Sequence, residues 1–285
     1  MFSQAHQSLQ ALPQMQLFLP PAYVELPFLA AVFAALYGRV PAEVWSRYHW
    51  LVVSPDVKAE ELPSITRSHI LVCIGNENGL LPAYAHQAGH VFTPYLRQQP
   101  DQDNVSVIPL GCNGHAPALA VLPMDQRSLH VSFVGQILPL RRPFINAGMN
   151  FLETAKPHAP LQAFMTFTPR FQSGLPPQVY ADILHKTCLA PVPWGQAPIT
   201  FRLFEALRAG CVVVTGPLPP YPYLNHLPAV RVDHDWRNFS EKVFAILQKP
   251  EQLQDLQTRS LAYYDQYCSP EAVAEQMACV ICPAS

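Results

Sequence analysis

Charge is scarce in this chain of 285 residues: Asp, Glu, Lys and Arg together make up 13% of it, about half the usual share of ~25%. With a net charge of −2 and no cluster of Lys and Arg, it has no basic stripe to follow a phosphate backbone, so nucleic acid is not an expected partner. Long apolar runs are missing too. The run Leu26–Gly38 is 13 residues long and carries Pro27, short of the ~20 that span a bilayer, and reads as a buried helix. The first residues, MFSQAHQSLQALPQ, lack a basic stretch followed by an apolar core, so no secretory leader is expected. The expected location is the cytoplasm, free or peripheral at a membrane. The oligomeric state is not legible.

Several motifs are absent, and each absence closes a class. There is no HExxH, GxSxG elbow, P-loop or GxGxxG, which removes the signatures of a zinc hydrolase, an α/β-hydrolase, a P-loop NTPase and a dinucleotide dehydrogenase. No fixed-period repeat supports a solenoid. The seven cysteines are an odd number scattered in apolar segments, as small core residues are in a reducing compartment. Cys279 and Cys282 form a CxxC with Cys268 upstream, but no fourth ligand follows at a suitable spacing, and no metal is expected.

What the chain has in excess is proline, 31 residues, set among 49% hydrophobic and 11% aromatic residues. That apolar content excludes general disorder. The prolines punctuate apolar runs, ending one element and starting the next. Runs at 17–20, 51–55, 70–79, 91–95 and 105–111 read as strands. A second series follows, at 130–136, 161–169, 188–193, 211–216 and 230–235, with helices at 143–154, 176–187, 200–210 and 238–247 and further ones to 281. Continuous apolar strands separated by helices predict a parallel sheet covered on both faces. The expected fold class is α/β, with two Rossmann-like domains, 1–126 and 127–285, facing a cleft, and the last helix free to pack back on the first. Ligands are sought outside the carboxyl ends of the strands.

The segment TCLAPVPWGQAPITFRLFEALRAGCVVVTGPLPPYPYL, 187–224, carries the most chemistry. Its central helix starts at Pro198 and the cap-like Thr200 and ends at Gly210. The loop from Trp194 to Ile199 precedes an N-terminus whose free N–H groups and dipole favour a phosphate. Arg202 lies near that end, and Glu205, three residues on, shares its side of the helix. A carboxylate one turn from a phosphate site can accept both hydroxyls of a ribose. The alternative is a structural carboxylate paired with Arg202 or Arg208.

The runs CLAP-x-PWG and RLFEAL-x-AGCVVV with the proline-rich loop after them resemble the donor half of exostosin-like glycosyltransferases, enzymes of the two-domain GT-B fold. SFVGQILPLRR, with Gly135 and Arg141 or Arg142, is similar to the strand and loop that open that family's donor domain. The resemblance covers about 105–275 and is specific between 187 and 224; over 1–104 it is architectural. It implies a donor-binding domain at 127–285, with Glu205 on the ribose and Gly135 and Arg141 in the loop that opens the domain; the helix-start reading adds Arg202, Thr200 and Trp194 around the phosphates. It also implies an acceptor-side domain at 1–126. The implied function is transfer of a sugar from a nucleotide sugar, uridine being the family's commonest base, to a glycan or other hydroxyl acceptor, with no further cofactor. Retaining enzymes of this fold carry a glutamate eight positions before the one matched by Glu205, where this chain has Ala197; inversion without a metal is the expectation. Inversion needs a base from the first domain, and the candidates are Glu77 in GNENG, Asp56 after LVVSP and His115 in GCNGH. Asp233–His234–Asp235 superficially matches a metal-binding DxD but comes late in the chain and reads as a loop. A non-catalytic partner subunit that holds a nucleotide or a glycan is the competing reading.

Overall fold

Helix α1 (Phe2–Gln10) leads into strand β1 (Met15–Phe18), helices α2 (Leu26–Tyr37) and α3 (Ala42–Trp45), and strands β2 (His49–Val53), β3 (His69–Cys73), β4 (His90–Thr93) and β5 (Val105–Val107). These strands form one sheet in chain order, all parallel, so the carboxyl ends of β1, β2 and β3 lie side by side. The computed structural model describes residues 1–97, 103–114, 117–155, 161–171 and 173–283. Residues 1–114 and 267–285 make up one compact unit and residues 115–266 another.

In the first unit the strands are apolar on both faces because both are covered. Trp50, Val52, Ile70, Val72 and Phe92 point toward α1, α2 and the chain's last helix. The intervening Leu51, Val53, Leu71, Cys73 and Val91 meet Tyr84, Ala85 and Ala88. Pro27 sits in the first turn of α2, where its fixed φ suits the helix and its missing N–H has no intrahelical partner to lose. Trp45 stacks on Trp50 at 4.6 Å between ring centroids, and Phe33 meets Trp50 edge-on at 5.3 Å.

The expected helices between β2, β3 and β4 are not there. Those connections hold only the short 3-10 turns Ala59–Glu61 and Ala83–Gln87. Pro55, Pro63 and Pro82 remove amide donors and force the preceding residues into extended backbone, which leaves no uninterrupted stretch for an α-helix.

In the second unit the elements alternate: β6 (Leu129–Gln136), α4 (Arg142–Ala155), β7 (Ala163–Thr168), α5 (Pro177–His185), β8 (Thr187–Pro191), α6 (Phe201–Arg208), β9 (Val212–Thr215), β10 (Ala229–Arg231), α7 (Phe239–Leu247) and α8 (Pro250–Tyr263). The parallel strand order is β10-β9-β8-β6-β7, which reverses direction between β6 and β8. On one face Phe133, Phe144, Phe151, Trp236 and Phe239 pack together, with Phe144 4.6 Å from Phe133 and 4.7 Å from Trp236. Buried Arg127 fixes the far end of α6: it donates to the carbonyls of Leu122, Thr187 and Ala209. A π-turn, Tyr264–Cys268, returns the chain to the first unit, where α9 (Pro270–Ile281) packs on α2.

Candidate functional site

In an open parallel sheet the crevice forms where the strand order reverses, outside the carboxyl ends of the two strands involved. In the second unit these are the ends of β6 and β8, and the loops after them are tied to each other. Arg141, 9% exposed, donates from Nε to the carbonyl of Trp194 at 2.8 Å and from Nη1 to that of Gln136 at 3.0 Å. Trp194 Nε1 in turn donates to the Pro217 carbonyl at 2.9 Å in the loop after β9, and its ring meets His234, beyond β10, at 5.7 Å. Gly195 has no room for a side chain: a Cβ there would stand 2.9 Å from Thr200 Cγ2 and 3.3 Å from Arg141 Nη2.

Two groups at this crevice are unspent. The guanidinium of Arg202 lies 4.4 Å from the Phe133 ring centroid and 5.6 Å from that of Tyr180, and among the described residues it has no hydrogen bond or carboxylate partner. Gly135 makes this position possible, since a Cβ there would lie 3.2 Å from Arg202 Nη2. Thr200 does occupy the N-cap position of α6, yet its hydroxyl makes no capping bond. That buried Oγ1 has no partner among the described residues. A stacked, unneutralised guanidinium, a free hydroxyl and the open N–H groups of a helix start together suit a phosphate.

Glu205 is buried, and its Oε2 accepts a 2.7 Å hydrogen bond from the Tyr180 hydroxyl. Burial pushes the Tyr180 phenol well above its ordinary pKa, with Arg202 pulling it down and Glu205 pushing it up. Glu205 also lines a small recess of about 20 Å³ with Leu184, His185, Arg208 and Leu119. Tyr180 and Phe133 carried no sequence signal of their own; only their neighbours in space give them a role. Asp235 pairs with Arg237, and the Asp233 amide bonds the Asn238 side chain. Among the described residues no group of three His, Cys, Asp or Glu side chains is arranged to hold a metal.

In the first unit the loops after β1, β2 and β3 gather acidic groups. Glu77 and Asp56, the sequence candidates for a base, are both exposed there; His115 lies outside the described residues. The loops also contain a carboxylate the sequence reading passed over. Glu25, at the N-cap of α2, is 6% exposed. Its carboxylate accepts from its own amide and that of Gly75, and burial, with Glu77 adding to it, pushes its pKa up to about 7. Its Oε2 has no partner among the described residues, nor has either side-chain polar atom of Asn76. Tyr23 closes over Gly75, where a Cβ would stand 1.8 Å from the phenol oxygen, and Gly75 has φ +71°. Burial first, then Glu25, Asp56 and Glu77, push the Tyr23 phenol up to about 12.

No protein-family model matches the sequence, and no curated protein matches it. Solved structures do. A complex of an S. aureus TarM variant with fondaparinux, alpha-GlcNAc-glycerol and UDP is 10% identical, with a TM-score of 0.53 over 90% of this chain and 59% of that one. The GtfA/B complex is 12% identical, with a TM-score of 0.51 over 89% of this chain and 59% of that one. The pneumococcal O-GlcNAc transferase GtfA in complex with UDP and GlcNAc is 9% identical, with a TM-score of 0.50 over 84% of this chain and 58% of that one. This chain thus spans less than two thirds of the length of the chains it matches. What the likeness shows is the fold: two Rossmann-like α/β domains of the GT-B glycosyltransferase type. No helix among the described residues is long and apolar enough to cross a membrane.

Proposed function

We propose that the chain is a glycosyltransferase that moves a sugar from a nucleoside-diphosphate donor to a hydroxyl acceptor. The observation that carries this reading is the convergence, where the strand order of the second unit reverses, of the unneutralised Arg202, the free Thr200 hydroxyl and the N-terminus of α6. The matched structures that hold UDP are consistent with it. Within that class the segment 187–224 favours an exostosin-like enzyme, and Ala197, where retaining enzymes have a glutamate, favours inversion.

Inversion is a single displacement. The acceptor oxygen bonds to the anomeric carbon as the bond from that carbon to the β-phosphate oxygen breaks. The diphosphate leaves with the bonding pair, and the hydroxyl proton passes to a carboxylate of the first unit. Arg202 and Arg141 offset the charge that develops on the leaving phosphate, with the Thr200 hydroxyl and the amides of residues 194–200 as further donors, so no metal is called for. Trp194 and Gly135 shape the floor. Glu205, held by Tyr180, accepts the ribose hydroxyls.

Incubation with UDP-, TDP- and GDP-sugars in EDTA tests the reading. Free nucleotide is expected, slowly without acceptor, and Glu205→Ala abolishes it. Nucleotide binding with no release under any acceptor would overturn transfer; activity lost in EDTA and restored by manganese would overturn the metal-free step alone.

A further inference from the structure

We infer that Glu25 and Asn76 form the acceptor subsite, Asn76 binding a saccharide hydroxyl and Glu25 Oε2 taking the proton of the hydroxyl that attacks. The inference rests on the transfer reading above. Its basis is three buried polar atoms without partners in two adjacent loops. Glu25 Oε2 and Asn76 Oδ1 and Nδ2 have none among the described residues, although the two side chains are 6% and 3% exposed. Leaving a buried polar group unsatisfied is costly, so three together call for a binding role. They belong to one place. The Gly75 amide, one residue before Asn76, donates to the Glu25 carboxylate, and the parallel order puts the ends of β1 and β3 on the same edge of the sheet. The chemistry offered is one donor and two acceptors, with no cation acting on Glu25 among the described residues, which suits a neutral hydroxyl and not an anion.

Glu77 and Asp56 then act from the rim. Glu77 raises the Glu25 pKa directly, and both raise that of Tyr23, which lies two residues before Glu25. A carboxylate that loses its proton near neutrality is well matched to a general base at physiological pH. Such a base takes the proton from the acceptor oxygen as that oxygen bonds to the anomeric carbon, and later returns it to water.

The test uses the full chain with Glu25→Gln, Asn76→Ala and Glu77→Gln. UDP affinity is expected unchanged, and a cooperative melt with the circular dichroism of the unaltered protein shows that the first unit, which carries the substitutions, is folded. Turnover of nucleotide sugars with neutral saccharide acceptors falls about 10²–10⁴-fold in Glu25→Gln, with donor KM unchanged and the acidic limb of the pH profile lost. Asn76→Ala raises the acceptor KM. Glu77→Gln moves the limb to lower pH, because a negative charge beside Glu25 is gone. Turnover and pH limb intact in Glu25→Gln overturn this inference and leave the transfer reading standing. If the unaltered protein turns over no donor, the transfer reading falls. The subsite is then decided by NMR of ¹³C-glutamate-labelled protein, in which the Glu25 carboxyl is identified by its loss in Glu25→Gln. A shift of that signal on adding N-acetylglucosamine or methyl glycosides supports saccharide binding, and no shift with any of them overturns it, leaving water as the occupant.

Discussion

A carboxylic acid buried at a helix start makes stability depend on pH, and the direction follows from Glu25. Its pKa rises from a reference of 4.5 to about 7 in the folded chain. Below pH 4.5 it is protonated folded or unfolded and exerts no effect. Between these values the unfolded chain gives up the proton while the folded chain keeps it, so stability falls with rising pH, by roughly 3 kcal/mol in all. Glu25→Gln removes this loss. The variant is expected to melt at a higher temperature than the unaltered protein at pH 8, and the gain should vanish at pH 4. A gain equal at both pH values would show that packing, not ionisation, is responsible. Glu25 was not legible in the sequence because a glutamate before an apolar helix reads as an ordinary exposed acid favoured by the helix dipole. Its surroundings include Gly75, about fifty residues away, whose amide acts on its carboxylate. Thr200 was legible as a cap by position, but that its hydroxyl is left unused is a fact of the loop around it.

At the scale of elements, α6 and the strands on either side of it are where the sequence spoke most clearly. Proline, threonine and glycine mark both ends of the helix, and β8 and β9 are continuous apolar runs, so local signals and tertiary packing agree. The first unit agrees less well, because its sheet is parallel without helices in two of its crossovers. The apolar pattern of a buried strand is the same whichever element covers it. Helix α1 was missed for a related reason: it is rich in glutamine and buries only Ala5 and Leu9. The second unit's core depends on a few rings. Phe144 contacts Phe133, Phe167, Trp236 and Phe239, linking α4 to β6, β7 and α7. Phe144→Ala is expected to cost about 3–5 kcal/mol in denaturant unfolding. A loss below 1 kcal/mol would mean that the neighbouring rings collapse into the space.

Over the whole molecule the low charge takes on a definite meaning. Few ionic side chains are available to be spent on solubility alone, and several of them stand at the carboxyl ends of the two sheets: Arg141 and Arg202 in one unit, Glu25, Asp56 and Glu77 in the other. The division of labour proposed for the chain follows that sign difference, cations with the diphosphate and carboxylates with the acceptor hydroxyl. The chain's return through Tyr264–Cys268 places α9 in the first unit, where Val273, Ala274, Met277 and Ile281 complete the core beneath α2. On the proposed function, the reversal point of the second sheet binds a nucleoside diphosphate through Arg202 without a metal. Calorimetric titration with UDP in EDTA tests it most directly. Saturable binding of one UDP per chain is expected, weakened about 10- to 100-fold in Arg202→Ala, the range for a lost hydrogen bond to a charged group. UDP, TDP and GDP all failing to bind, or binding unchanged in Arg202→Ala, would contradict it.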